Sequence, residues 1–274
     1  MRYELKPLGV GGTLDQAIAI FKDRPGLFVL ITLILRIPLT AVLQYHVLVN
    51  LANFPMQPND AQLNEFFGRF MRLYLFVLGP SLLVDLLLIS PITNASLIYA
   101  TARIYLGEPI GVWQALRMAL RRYFPYVWTT VLFAMIVFLG TLCCILPGIL
   151  LAFRFALAPN AAVLERVSGF GALQRSADLM RSEGYTNYLK YFGLIVVLGF
   201  IQGGINAASN FVPQLHLRAA AIGLFGSISI TFAIVAQVVF YYSCRCRNEG
   251  FDLLYLARIV AETPNDQSVV PAQA

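Results

Sequence analysis

"PGILLAFRFALAPNAAVLE", residues 147–165, is an apolar run opened by a Pro-Gly pair, closed by a glutamate and interrupted by one charge, Arg154. A run of this kind belongs in or against a bilayer, and the rest of the chain is like it. Of the 274 residues, 58% are hydrophobic and only 12% charged, and the mean hydropathy is +0.71. Soluble domains carry about a quarter charged residues, so the composition specifies an all-α polytopic membrane protein. Its length is counted in crossings of about 20 apolar residues each.

Six crossings are expected, near residues 27–51, 73–101, 126–146, 149–164, 190–208 and 219–243. They pair as three hairpins in one membrane domain, 1–262, followed by a disordered cytosolic tail, 263–274. Pro147-Gly148 predicts a tight turn joining the third and fourth crossings. The second holds Pro80 and Pro91 and is too long, which predicts a kinked helix running on into the cytosol at "TARIYLGEP" (101–109).

Lysine and arginine set the direction. Arg2, Lys6, Lys22 and Arg24 precede the first crossing, Arg103, Arg117, Arg121 and Arg122 link the second to the third, and Arg166, Arg175, Arg181 and Lys190 link the fourth to the fifth. Arg245, Arg247 and Arg258 follow the sixth, whereas "NFPMQPNDAQLNEFFG" (53–68) has neither Lys nor Arg and is expected as an outer loop. Both termini are therefore expected on the cytoplasmic side of the cell membrane. The net charge of +6 serves topology and anionic lipid in this pattern, not nucleic acid. A cleaved signal peptide at "LFVLITLIL" is the weaker alternative, because a long stretch precedes it and no A-x-A-like site follows.

Three segments repeat. "DQAIAIFKDRPGLFVLITLIL" from Asp15, "WQALRMALRRYFPYVWTTVLF" from Trp113 and "GALQRSADLMRSEGYTNYLKYFGLIVV" from Gly171 each read as a short amphipathic helix feeding a crossing. Ala17, Ala115 and Ala172 occupy the same place in each. The first helix is expected to use Leu14, Ala17, Ile18 and Phe21 on one face, with Thr13 and Gln16 as a capping box after a flexible "GVGG". The second is expected to place Val112, Ala115, Leu116, Ala119 and Leu120 on one face, with Val112, Leu116 and Leu120 toward the acyl boundary while Arg117, Arg121 and Arg122 meet anionic headgroups. All copies start on the same side, so the repeat is a parallel one about an axis normal to the membrane.

"TLDQAIAIFKDRPG", "IYLGEP", "PGILLAFRFALAPNAAVLE", "ALQRSADLMR" and "YYSCRCRNEGFDLLYLAR" succeed one another along most of the chain. In that order they resemble the membrane domain associated with bacterial glycerophosphoryl diester phosphodiesterases and related stand-alone integral membrane proteins. The resemblance implies a multi-helix membrane module, sometimes fused to a soluble enzyme. It does not imply phosphodiester hydrolysis, whose barrel domain needs about 250 further residues.

No catalytic constellation, metal site or cofactor motif is apparent. His46 and His216 stand apart from carboxylates at ligand spacing, Cys143 and Cys144 are expected at the opposite face from Cys244 and Cys246, and no serine sits in a nucleophile elbow. Three intramembrane charges are the polar candidates: Arg36, Asp85 and Arg154. Counting at 1.5 Å per residue puts Arg36 about 14 Å and Asp85 about 18 Å into the bilayer from opposite sides, deep enough to pair. Arg154 is expected about 8 Å from the outer end, where it can snorkel or join them. Such a cluster either fixes packing or lines a hydrated ligand site. Gly199 and Gly203 form a G-x-x-x-G pair expected to pack the fifth crossing on the sixth. The function expected is a non-enzymatic module that scaffolds, regulates or positions a partner; the alternative is a transporter of a small molecule or lipid.

Overall fold

Every element is helical in the computed structural model, which describes residues 5–37, positions 42, 45, 46 and 49, then 60–75, 79–181, 184–209, 211, 212 and 214–262. In chain order the helices are α1 (Val10–Asp23), α2 (Pro25–Leu35), α3 (Asp60–Leu73), α4 (Gly79–Val84), a π-helical turn (Asp85–Ile89), α5 (Ser90–Tyr105), α6 (Val112–Arg121), α7 (Tyr123–Cys143), α8 (Ile145–Arg154), α9 (Ala158–Leu164), α10 (Phe170–Arg181), α11 (Thr186–Ser209), α12 (Leu215–Glu249) and α13 (Phe251–Glu262). Five stretches are long and apolar enough to cross a membrane: Leu82–Tyr105, Tyr123–Cys143, Ile145–Leu164, Thr186–Ser209 and Leu217–Glu249. Pro25–Ile34 is a shorter apolar helix. The remainder of the first expected crossing lies largely outside the described residues, as do 53–59 of the expected outer loop and the tail from 263. The other half of that loop is helical, beginning at Asp60.

The three amphipathic helices occupy equivalent places. α1 packs on α12, α6 on α5 and α10 on α9, so each lies against the inner helix that precedes its own long helix when the order is taken cyclically. Ala17, Ala115 and Ala172 are each 0% exposed at these contacts. A methyl group is all that fits where two helix backbones come this close. α5 contacts both α9 and α12, while α2, α7 and α11 pack outside them.

The core sits at one end of the bundle. Leu97 and Ala100 of α5, Leu157 and Ala161 beside or in α9, and Val235 and Val239 of α12 are at most 1% exposed within one buried cluster. α5 can be central despite its hydroxyls because Thr93, Ser96 and Thr101 each donate to the carbonyl four residues back, at 2.6 to 2.7 Å. α12, at 35 residues, is about 52 Å long against a hydrocarbon core of about 30 Å, and its buried portion is the carboxyl-terminal half. It stops at Gly250, whose φ of 58° is the left-handed conformation that glycine adopts without strain. α13 follows, and Tyr255 donates to the Leu106 carbonyl at 2.9 Å.

Local expectations need four corrections. Gly9 caps α1 and Val10–Gly12 are helical, because Leu8 packs over Gly12 and is itself held by Ser243 through Leu8 N–H at 2.7 Å. Thr13 is therefore inside the helix, donating back to the Gly9 carbonyl at 2.9 Å, and the buried stripe is Thr13, Ala17 and Ile20, with Ile18 exposed. The turn between α7 and α8 falls at Cys144, extended at φ −168°, and not at Pro147-Gly148. Gly148 lies inside α8 and lets it touch α7: a Cβ there would meet Thr141 Cα at 2.7 Å.

Candidate functional site

Arg154 ends α8, and the run quoted at the outset is two short helices, not one crossing of uniform helix. Broken helices survive in an apolar setting only if the freed backbone groups find partners. Here Ser176 of α10 donates to the Arg154 carbonyl at 3.0 Å and accepts the Leu157 N–H at 3.1 Å. Gln237 of α12 donates to the Ala156 carbonyl at 2.8 Å. The break at 155–157 is thus held by two neighbouring helices. It places Arg154 beside the amphipathic helix α10.

The side chain of Arg154 is exposed, with its guanidinium carbon 5.9 Å from the centre of the Phe155 ring. It shares a groove of about 780 Å³ with Arg181, the last residue of α10. Tyr185, Tyr188, Leu150, Leu189 and Phe192 line it as well. Among the described residues, neither arginine has a carboxylate partner within ion-pair distance.

A second cluster joins α9, α10 and α12, and sequence inspection missed it. Arg175 Nε donates to Glu165 Oε2 at 2.6 Å, and its Nη2 pairs with Glu249. Arg245 Nε lies 3.1 Å from Glu249 Oε2 and 3.5 Å from Glu165 Oε1, while the Tyr241 hydroxyl donates to Glu165. Arg245 also stands 4.3 Å over the Phe251 ring. Burial alone would raise the Glu165 carboxyl, but the Arg175 hydrogen bond, the Tyr241 hydroxyl and the two arginine charges outweigh it and hold it below its ordinary value. Two acids face two bases, so the cluster is electrically closed. It is a clamp on three helices, with Arg247 extending it by donating to Asn187 Oδ1 at 3.0 Å and to the Leu8 carbonyl at 3.3 Å.

The remaining candidates separate from one another. Arg36 Nη1 donates to Asn94 Oδ1 of α5 at 3.4 Å. Asp85 stands nine residues earlier, at the start of the π-helical turn, and its Oδ1 is buried with no hydrogen-bond partner. The expected Arg36–Asp85 pair is not formed, because the depth count assumed regular helices on both sides. α6 packs Ala115 and Ala119 on protein, whereas Leu120 and Trp113 are exposed beside Arg117 and Arg121; Arg122 is half-buried at the helix end. That helix therefore packs its two alanines on protein, chiefly α5, and leaves Leu120 of the expected stripe outside the contact. Gly199 and Gly203 have nothing within 4 Å of where a Cβ would lie, so they do not pack α11 on α12. Gly193 does approach a neighbour, Val10 of α1, at 3.4 Å.

Cys143 and Cys144 are exposed and Cys244 and Cys246 buried, all as free thiols. No group of three His, Cys, Asp or Glu side chains able to hold a metal occurs among the described residues. Comparison of the chain with protein-family models, with curated proteins and with solved structures found no match.

Proposed function

We propose that this chain is a non-enzymatic membrane module that holds or positions a partner at the cytoplasmic membrane. In this proposal six crossings form three hairpins about an axis normal to the bilayer, each hairpin preceded by a helix on the cytosolic side, with both termini in the cytosol. The observation that supports it is a filled interior: α5 contacts both α9 and α12, and Leu97, Leu157 and Val235, in one buried cluster, are at most 1% exposed. Transport by rocking one repeat against another needs a site and a path at such an interface. A packed, charge-clamped one suits a rigid platform. The resemblance to the membrane domain accompanying phosphodiesterases agrees with a module that stands beside an activity without carrying it.

The proposed contact surface is α13, which presents Leu253 and Leu254 past the end of α12. A photoreactive residue at Leu253 should yield a discrete protein adduct in native membranes, and one at Phe138, exposed on α7, should yield lipid adducts alone. Lipid adducts at both positions would overturn the proposal. The second reading, transport, draws on a recess of about 360 Å³ between α11 and α12 that includes Gln202, Ser229 and Gln237. Solute flux in proteoliposomes that disappears with Gln202→Leu would favour it.

A further inference from the structure

We infer that the groove ending at Arg154 and Arg181 is a binding site for one anionic phospholipid, with the phosphate between the two guanidinium groups and an acyl chain along α8 and α11. The site is distinct from the arginines of α6 and does not depend on whether the module scaffolds or transports.

The polarity of the groove carries the inference. α8 runs toward Arg154, so Leu150 and Leu151 lie one turn back from the charge. α11 runs away from Tyr185, so Leu189 and Phe192 lie one and two turns beyond it. Both walls therefore become apolar in the same direction from a shared basic end. That gradient, a charged head and one continuous apolar face, is the gradient of a phospholipid lying in one leaflet.

The head end is built. Ser176 fixes the Arg154 backbone, and Arg181 lies five residues along the same helix, about 7.5 Å by helical rise. Two phosphate-binding guanidiniums thus stand on elements joined by a hydrogen bond. Neither is neutralised by a carboxylate among the described residues, in contrast to Arg175 and Arg245 a short distance away, each of which faces Glu165 and Glu249. Guanidinium forks match phosphate oxygens bidentately, and no carboxylate among the described residues occupies either fork. Tyr185 and Tyr188 also line the groove and carry hydroxyl donors. A free inorganic phosphate would leave the apolar walls unused, and an acidic peptide would have to lie on a surface turned to acyl chains. The volume, about 780 Å³, falls within the range of about 300 to 1,000 Å³ typical of sites that bury most of a ligand.

The test is native mass spectrometry of the detergent-purified full chain titrated with dioleoyl phosphatidylglycerol or dioleoyl phosphatidylcholine. The expected result is one saturable phosphatidylglycerol at least tenfold tighter than phosphatidylcholine. Arg154→Gln with Arg181→Gln should erase that preference, the double lysine variant should keep part of it, and Leu189→Trp should weaken both lipids by crowding the tail. Arg117→Gln with Arg121→Gln should leave the saturable site intact. Equal binding of the two lipids, an unchanged preference in the double glutamine variant, or competition by inorganic phosphate alone would overturn the inference. So would a crosslink from Leu189 to a protein or a second copy in place of lipid.

Discussion

The Tyr123 hydroxyl, on the first residue of α7, donates to the Leu87 carbonyl inside the π-helical turn that precedes α5. Leu87 lies four residues before Pro91, which has no N–H to offer it. The turn itself widens to a bond from the Ser90 N–H to the Asp85 carbonyl, five residues back, which makes room for the proline ring. One phenol thus supplies a donor that proline removes, and it ties the start of α7 to the middle of the preceding long helix.

Tyr123→Phe should accordingly destabilise the protein by about 1 to 3 kcal/mol, the cost of leaving a carbonyl without a donor in an apolar setting. Pro91→Ala in the same background restores a backbone N–H and should return part of the loss. Thermal unfolding in detergent of the four proteins of this cycle measures the coupling; strictly additive effects would show that Tyr123 does not serve the acceptor left by Pro91.

Glu165 makes stability depend on pH with a definite sign. Its carboxyl is held below the ordinary value of 4.5 in the folded chain, so its contribution is full above that pH and is lost as pH falls through the depressed value. Glu165→Gln should cost about 1.5 to 3 kcal/mol near neutrality, as expected for hydrogen bonds to a charged group. The variant should also show a shallower loss of stability than the parent as pH falls below 4.5. A parallel pair of melting profiles would remove Glu165 from the clamp.

The two glycine sites should respond oppositely. Gly148→Ala puts a methyl group 2.7 Å from the Thr141 backbone and forces α7 and α8 apart, an overpacking cost of about 1 to 3 kcal/mol. Gly199→Ala and Gly203→Ala meet open space and replace a poor helix former, so each should be neutral or stabilising by up to about 1 kcal/mol. Melting temperatures in one detergent decide this. Destabilisation at Gly203 comparable to that at Gly148 would mean that α11 has a close partner, most simply a second copy.

Much of the architecture was legible because it rests on short-range pattern. Apolar length marks the five long helices, and the alignment of Ala17, Ala115 and Ala172 marks three equivalent contacts. What escaped depends on distances the sequence does not encode. Glu165 meets Arg175 ten residues on but Arg245 eighty away, and nothing in "VLERV" signals that convergence. The break at 155–157 has a local cause in Pro159, which has no N–H for the Phe155 carbonyl and opens the next helix, but the Ser176 and Gln237 hydrogen bonds that hold it come from elsewhere in the chain. Gly199 and Gly203 have the spacing of a packing motif, yet spacing does not say which way the helix is turned.

Native cysteines provide a topology test that needs no introduced label site. Cys143 and Cys144 are exposed at the turn between α7 and α8, and Cys244 and Cys246 are buried near the opposite end of the bundle. In the proposed orientation, a membrane-impermeant maleimide added to intact cells should modify the first pair and spare the second. Cys143→Ser with Cys144→Ser should abolish the signal. Labelling that requires permeabilised cells would invert the orientation assigned from lysine and arginine.

Asp85 and Arg36 separate a packing role from a working one. Asp85 keeps a buried carboxylate oxygen without a partner on a turn whose neighbours Leu83 and Leu86 are exposed, so it is a polar group in an apolar setting with little to offset its desolvation. If it serves structure alone, Asp85→Leu should stabilise the protein in detergent, by about 1 to 3 kcal/mol. Arg36→Met should weaken it, because Asn94 then loses a donor. The two effects should add within about 0.5 kcal/mol, since the side chains do not touch, whereas Arg36→Met and Asn94→Ala should fall short of additivity. A gain in stability from Asp85→Leu accompanied by loss of activity in cells would show that the carboxylate is retained at a cost for a task. Strong coupling between Arg36 and Asp85 would instead mean that the two charges meet in the bilayer, as a count of helical turns alone would have them do.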